Sequence, residues 1–117
     1  MELNINGKDF GFIFGYGFLK EINDGNRAEA SGVTLNMGVA NVVSGILIGD
    51  VERLIDVLKK ANKTETPCLT DSDIDHLFDN YDAETLFDMV MDELKKSQFT
   101  TIAVKKVLDQ TNQTANT

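Results

Sequence analysis

The sequence holds one cysteine, one histidine, one proline and no tryptophan. One thiol cannot build a disulfide framework. One thiol and one imidazole fall short of the four ligands of a structural zinc site. Cations are scarce as well. Eleven Lys and Arg stand against 19 Asp and Glu, for a net charge of −8. Phosphate binding needs clustered cations, so no nucleic-acid partner is expected. The longest uncharged run, Ala30 to Gly49, has a bilayer-spanning length, but Thr34, Asn36, Asn41, Ser44 and four glycines dilute it. A membrane span is rejected on that composition, and no membrane partner is expected. The start, MELNINGKDF, lacks a basic stretch followed by an apolar run. It does not read as a secretory signal, and a reducing cytoplasm is the expected compartment.

What remains is one domain. The chain has 117 residues, and 42% are hydrophobic, enough for a single core. Met1, Leu3 and Ile5 alternate with polar residues, then Phe10, Phe12 and Phe14 do the same. Asn6-Gly7 between the runs suits the positive φ angles of a tight hairpin turn. Gly15-Tyr16-Gly17 interrupts the strand pattern. A short helix is predicted over Phe18 to Asn23, then a loop over Gly25 to Gly32 that reads as a mobile segment. A buried central helix is predicted over Leu35 to Ile48, with Ala40, Ser44, Gly45 and Gly49 permitting close backbone approach. Asp50 caps an amphipathic helix whose stripe is Val51, Leu54, Ile55, Leu58 and Ala61. Thr64 to Leu69 is a linker. Thr70 caps a helix with Ile74, Leu77, Phe78 and Tyr81 inward, and Asp82 caps another over Ala83 to Lys96. Thr100 caps a last helix with Ile102, Val104, Val107 and Leu108 as its apolar positions. The fold class is therefore α+β, mostly α-helical: an N-terminal β-hairpin followed by about five helices. The domain is expected over residues 1–110. Residues 111–117, all Thr, Asn, Gln or Ala, are expected to form an unstructured tail.

Constellations that carry chemistry are thin. Asp71-Ser72-Asp73-Ile74-Asp75 has the opening of a calcium loop, but His76 stands where glycine is needed and Asp82 where a bidentate Glu is needed. A capped helix with acids at its positive end accounts for it better. Cys68 has no cationic neighbour in sequence to activate it, and no orienting third group is evident for a pair with His76. Gly11 to Gly17 matches neither the dinucleotide fingerprint nor a P-loop. Asp88, Asp92 and Glu93 lie opposite the apolar stripe of their helix and read as a solvated face. No catalytic residue, cofactor or metal is expected, and the protein is read as a non-enzyme.

One larger pattern stands out. ELNINGKDFGFIFGYGFLKEIN is a short hairpin followed by Phe-Gly-Tyr-Gly-Phe-Leu-Lys-Glu-Ile-Asn. An uncharged helix, Gly49-Asp50, the helix Val51 to Asn62, a Thr70-led acidic helix and a Lys-ended helix follow. Over residues 1–110 this order resembles the tail assembly chaperones of long-tailed phages and prophages of Gram-positive bacteria. The resemblance implies a helper of tail morphogenesis in the host bacterial cytoplasm, absent from the mature virion. It implies that the tape measure protein is the partner, held in solution before the tube polymerises around it. It further implies self-association, and recruitment of the tail tube protein by a frameshift-extended form. Amphipathic client helices need apolar grooves. The candidate partner-binding residues are Phe10, Phe12 and Phe14 of the hairpin, with Ile102, Val104, Val107 and Leu108 of the last helix. The nine acids from Asp71 to Glu93, with no Lys or Arg among them, suit solubility and attraction to basic stretches. The alternative is a small acidic regulatory or inhibitor protein that binds a basic partner. A small hydrolase is opposed by the poor stock of nucleophiles.

Overall fold

Asn6 and Gly7 take φ of 52° and 84°, and the chain reverses there into an antiparallel hairpin. Its strands are β1 (Glu2–Ile5) and β2 (Lys8–Gly11), in a computed structural model that describes residues 1–115, with side chains as far as Thr111. Leu3 lies opposite Phe10, and both are buried. Asn4 lies opposite Asp9 on the outer face, and Asn4 Nδ2 donates to Asp9 Oδ1 at 2.9 Å. Phe12 and Met1 extend the pairing by one step, the Phe12 amide donating to the Met1 carbonyl at 2.8 Å.

Helix α1 (Tyr16–Asn23) follows, and Phe14 packs on Phe18 with ring centroids 4.9 Å apart. The next segment departs from expectation. Residues 25–36 are not a loop leading into a helix. They form a second hairpin, β3 (Arg27–Ala30) and β4 (Val33–Asn36), turned by Ser31 and Gly32 at φ 53° and 79°. Ser31-Gly32 takes the same left-handed pair of angles as Asn6-Gly7, and the alternation of Ala28, Ala30, Val33 and Leu35 with polar residues is that of a strand. The central helix, α2, therefore spans Gly38–Leu47 rather than starting at Leu35.

The root of the second hairpin is tied down. The buried Asn23 accepts the Gly38 amide at 2.9 Å, which caps α2, and Asn41 Nδ2 donates to Asn26 Oδ1 at 3.0 Å. Gly38 is required there, because a Cβ would come within 2.4 Å of the Ile22 carbonyl oxygen.

Gly49-Asp50 ends one helix and starts the next. Gly49 takes φ 77° and its amide donates to Ile46 O, while the Asp50 amide donates to Gly45 O at 2.9 Å. That is the paired closure of a left-handed helix C-terminus. The Asp50 carboxylate then accepts the Arg53 amide at 3.2 Å and caps α3 (Val51–Asn62). Of the expected stripe, Leu54, Leu58 and Ala61 are buried, while Val51 is exposed; Val57 completes the buried face.

The buried Asn62 side chain closes α3 against its surroundings. It donates to Gly11 O and Pro67 O at 3.0 and 3.1 Å and accepts the Leu69 amide at 2.7 Å. Thr70 and Asp73 form a reciprocal capping box on α4 (Asp71–Asn80). The segment that opens like a calcium loop is therefore helix. Asp82 caps α5 (Ala83–Lys96), accepting the Thr85 amide at 2.8 Å. Helix α6 (Thr101–Ala115) continues through the stretch expected to fray, and residues 116 and 117 of that stretch lie outside the described residues. Thr100 precedes α6 but does not cap it as expected: its hydroxyl is buried and donates to the Leu94 carbonyl at 2.6 Å. One core joins the first hairpin to the helices, from Leu3 and Phe10 to Leu94 and Val104. Among the described residues, no helix is long and apolar enough to cross a membrane.

Candidate functional site

Ile13 breaks phase with Phe10, Phe12 and Phe14, so it points away from the core they share. Its amide donates to the Ala61 carbonyl at 2.8 Å, which fixes the backbone, and its side chain is 52% exposed. Two open grooves flank it. The first, about 280 Å³, lies between the start of α1 at Tyr16, Gly17 and Phe18 and the end of α3 at Lys60, Ala61 and Lys63. The second, about 290 Å³, runs between Phe14-Gly15 and the α5–α6 connection at Ser97, Gln98 and Phe99.

The grooves are locally well held. Gly17 leaves the first one open, since a Cβ there would meet nothing within 4 Å. Ser97 Oγ donates to the Phe14 carbonyl at 2.6 Å and accepts the Phe99 amide at 3.2 Å. Tyr16 and Phe99, both largely exposed, approach to 6.1 Å between ring centroids and join the two grooves at the surface. Lys20 Nζ lies 5.4 Å from the centre of the Tyr16 ring, within reach of a cation–π contact. Lys63 donates to Glu21 at 2.8 Å on the wall of the first groove. That hydrogen bond, helped by the charges of Lys63, Lys60 and Lys20, holds the Glu21 carboxyl below its ordinary range. The arrangement offers apolar contact with a charged rim.

A third groove, about 280 Å³, lies between α5 and α6 and is lined by Val104 and Leu108 with Lys95, Thr101 and Lys105. It takes in two of the four candidate residues of the last helix, Val104 and Leu108. Ile102 is 70% exposed, Val107 and Leu108 are half-buried, and Val104 is buried. The hairpin candidates are placed differently. Phe10, Phe12 and Phe14 are 1%, 3% and 7% exposed and belong to the core. Phe14 packs on Phe18 of α1, and the apolar side chain that this stretch exposes is Ile13 and not the phenylalanines. Sequence reasoning missed Ile13, Tyr16 and Phe99. The out-of-phase position of Ile13 is a signal that could have found the first; nothing in the pattern marks Phe99.

The acidic helices carry no constellation of their own. Asp73 is committed to Thr70, whose backbone and hydroxyl donate to it at 2.9 Å and hold its carboxyl low. Lys59 lowers Asp71 by a hydrogen bond across from α3. The Thr85 amide lowers Asp82. His76 Nδ1 lies 3.5 Å from Asp79. Among the described residues, no three His, Cys, Asp or Glu are grouped to hold a metal ion.

The Phe14–Phe18 segment that frames the grooves and the Gly49-Asp50 joint both fall within a match to one family model. The model is that of the phage tail assembly chaperone protein, and it covers residues 2–109. The chain belongs to that family. No curated protein and no solved structure matches it. For a tail assembly chaperone of this kind, the two most specific stretches of the sequence have separate structural tasks. Phe14-Gly15-Tyr16-Gly17-Phe18 sets three groove residues between two phenylalanines of the core. Gly49-Asp50 turns the chain between α2 and α3, each of which buries one face in the core.

Proposed function

We propose that this tail assembly chaperone binds the tape measure protein before tail polymerisation and keeps it in solution, acting by binding alone and as an oligomer. The observation that supports this best is the pair of open grooves around Ile13, Tyr16 and Phe99, with a further groove at Val104 and Leu108 and the exposed Ile102 on the last helix. An amphipathic client helix presents apolar side chains at a spacing such grooves accept. Phe10, Phe12, Phe14 and Val104 act from beneath, as the packed floor that holds the grooves in shape. The acids of α4 and α5 speed encounter and keep the complex soluble. The protein acts in the host cytoplasm and leaves before the virion is complete; a frameshift-extended form recruits the tail tube protein.

The test is coexpression with tape measure fragments and pull-down across a salt series. Wild-type protein is expected to retain the fragments at high salt, because apolar burial is not screened. Ile13→Asp, Phe99→Ala and Ile102→Asp are expected to lose them at every salt concentration with the fold intact. Loss of wild-type complex at high salt would instead favour charge attraction to a basic partner. Failure to hold any fragment with folded protein overturns the reading.

A further inference from the structure

The second hairpin is exposed along its whole length, on both faces and both edges. Its register puts Ala28, Leu35, Ala30 and Val33 on one face and Arg27, Asn36, Glu29 and Thr34 on the other. A two-stranded ribbon by itself is marginal in water, and three or more strands with an apolar face are needed for independent stability. The β3 edge carries no lysine, proline or bulge; its guards against pairing are its shortness and the charges of Arg27 and Glu29, which are of opposite sign and two residues apart.

The hydrogen-bond phase shows which backbone groups are free. The Met37 amide donates to the Asn26 carbonyl at 2.8 Å, so residues 26 and 37 form a bonded pair. Bonded and non-bonded pairs alternate in an antiparallel ladder. Ala28 and Ala30 thus turn their backbone groups toward β4, and Arg27 and Glu29 turn theirs to the free edge.

We propose that the β3 edge pairs antiparallel with the β3 edge of a second copy of this chain, about a two-fold axis at Ala28. The proposal rests on the self-association in the reading above and gives it a surface. With Ala28 opposite Ala28, each Arg27 falls opposite the other copy's Glu29. These are the residues whose amides and carbonyls face outward, so four backbone hydrogen bonds form. The same register sets each guanidinium beside a carboxylate. Among the described residues Glu29 has no ion-pair or side-chain hydrogen-bond partner, while Arg27 holds Asn36 at 3.1 Å and Asp24 at 3.9 Å with donors to spare. No other single-residue-centred register of β3 on itself brings both charges of each copy against opposite charges. The product is a four-stranded sheet with one continuous apolar face.

The test uses the full chain with Cys68→Ser, which removes the exposed native thiol. Ala28→Cys in that background is expected to form a disulfide dimer under mild oxidation, because directly opposite Cβ atoms lie about 5 Å apart. Ala30→Cys, on the same face but out of register, is expected to stay monomeric on denaturing gels. Glu29→Arg should weaken dimerisation about tenfold in sedimentation, and Arg27→Glu with Glu29→Arg should restore it. Oligomers that form without an Ala28 cross-link overturn the edge pairing and leave self-association standing. A strict monomer at high micromolar concentration overturns both. An Ala28→Cys cross-link that appears only to an added tape measure fragment also overturns the pairing. An Ala28 dimer that holds no tape measure fragment supports the pairing and counts against the client assignment alone.

Discussion

The two hairpins share a turn and little else. Asn6-Gly7 and Ser31-Gly32 take nearly the same left-handed angles, and each joins two four-residue strands. The first buries Leu3, Ile5 and Phe10 to within about 1% of full burial, whereas every residue of the second is exposed. The difference lies in side-chain volume and in cover. Leu3, Ile5 and Phe10 bring enough apolar area from both strands to hold helices against them, while on the second hairpin Val33 and Leu35 face only Ala30 and Ala28, so one strand supplies nearly all the apolar area. Turn chemistry thus decides that a hairpin forms, and the size of its apolar face decides whether it serves the core or is left for a partner.

The contrast is open to direct attack, and the largest effect belongs to the first hairpin. Phe10→Ala is expected to cost about 3–5 kcal/mol of stability by denaturant unfolding, through lost burial and the cavity left behind. Leu35→Ala, the matching change in the second hairpin, is expected to cost less than about 0.5 kcal/mol. Comparable losses at the two sites would erase the distinction.

A second effect sits at the root of the exposed hairpin. Gly38→Ala forces a Cβ against the Ile22 carbonyl and the Asn23 side chain, the latter at 2.5 Å. Overpacking of this kind costs about 1–3 kcal/mol. Chemical unfolding and amide exchange should report it together, with loss of protection at Gly38 and Met37. A silent substitution would mean that the root is not the rigid mount described above.

The turns sharpen the comparison further. Gly7→Val is expected to destabilise the whole fold by about 1 kcal/mol, because valine resists positive φ. Gly32→Val imposes the same local strain, yet its global cost should stay below about 0.5 kcal/mol, with faster hydrogen exchange confined to residues 26–37. Equal shifts in melting temperature would show that both hairpins belong to one cooperative unit.

The smallest effect is electrostatic and lies outside both hairpins. Glu21, Asp71, Asp73 and Asp82 all have carboxyl groups held below their ordinary values in the folded protein. A lowered folded pKa favours the native state once the unfolded carboxyl is ionised. The contribution is therefore complete above about pH 5 and is lost as pH falls through the folded values. Thermal melts should be level from about pH 7 to 5 and fall below about 4, by a modest amount because none of the four groups is buried. Stability that rises on acidification would reverse the assignment.

Much of this was legible in the residues. Asn6-Gly7, the Phe alternation and the caps at Asp50, Thr70 and Asp82 each use chemistry confined to a few neighbours, and each stands where the pattern put it. The family resemblance was legible in the order and length of the elements over residues 1–110, with the Phe-Gly-Tyr-Gly-Phe-Leu-Lys-Glu-Ile-Asn stretch and the helix led by Gly49-Asp50 as its most specific parts. Ser31-Gly32 carries the same message as Asn6-Gly7 but was hidden in a run of small uncharged residues that reads equally well as loop and helix. Only the tertiary structure decided which apolar residues remain outside. Phe14 and Ile13 are adjacent and similar in hydrophobicity, and they part because Phe14 turns in against Phe18 of α1 while Ile13 faces the open groove between α1 and the end of α3. Ile102 and Val104 divide in the same way across α6. Burial depends on what arrives from elsewhere in the chain, and that information is not held in any short stretch of it. Periodicity names the two faces of an element; packing chooses how much of each is covered.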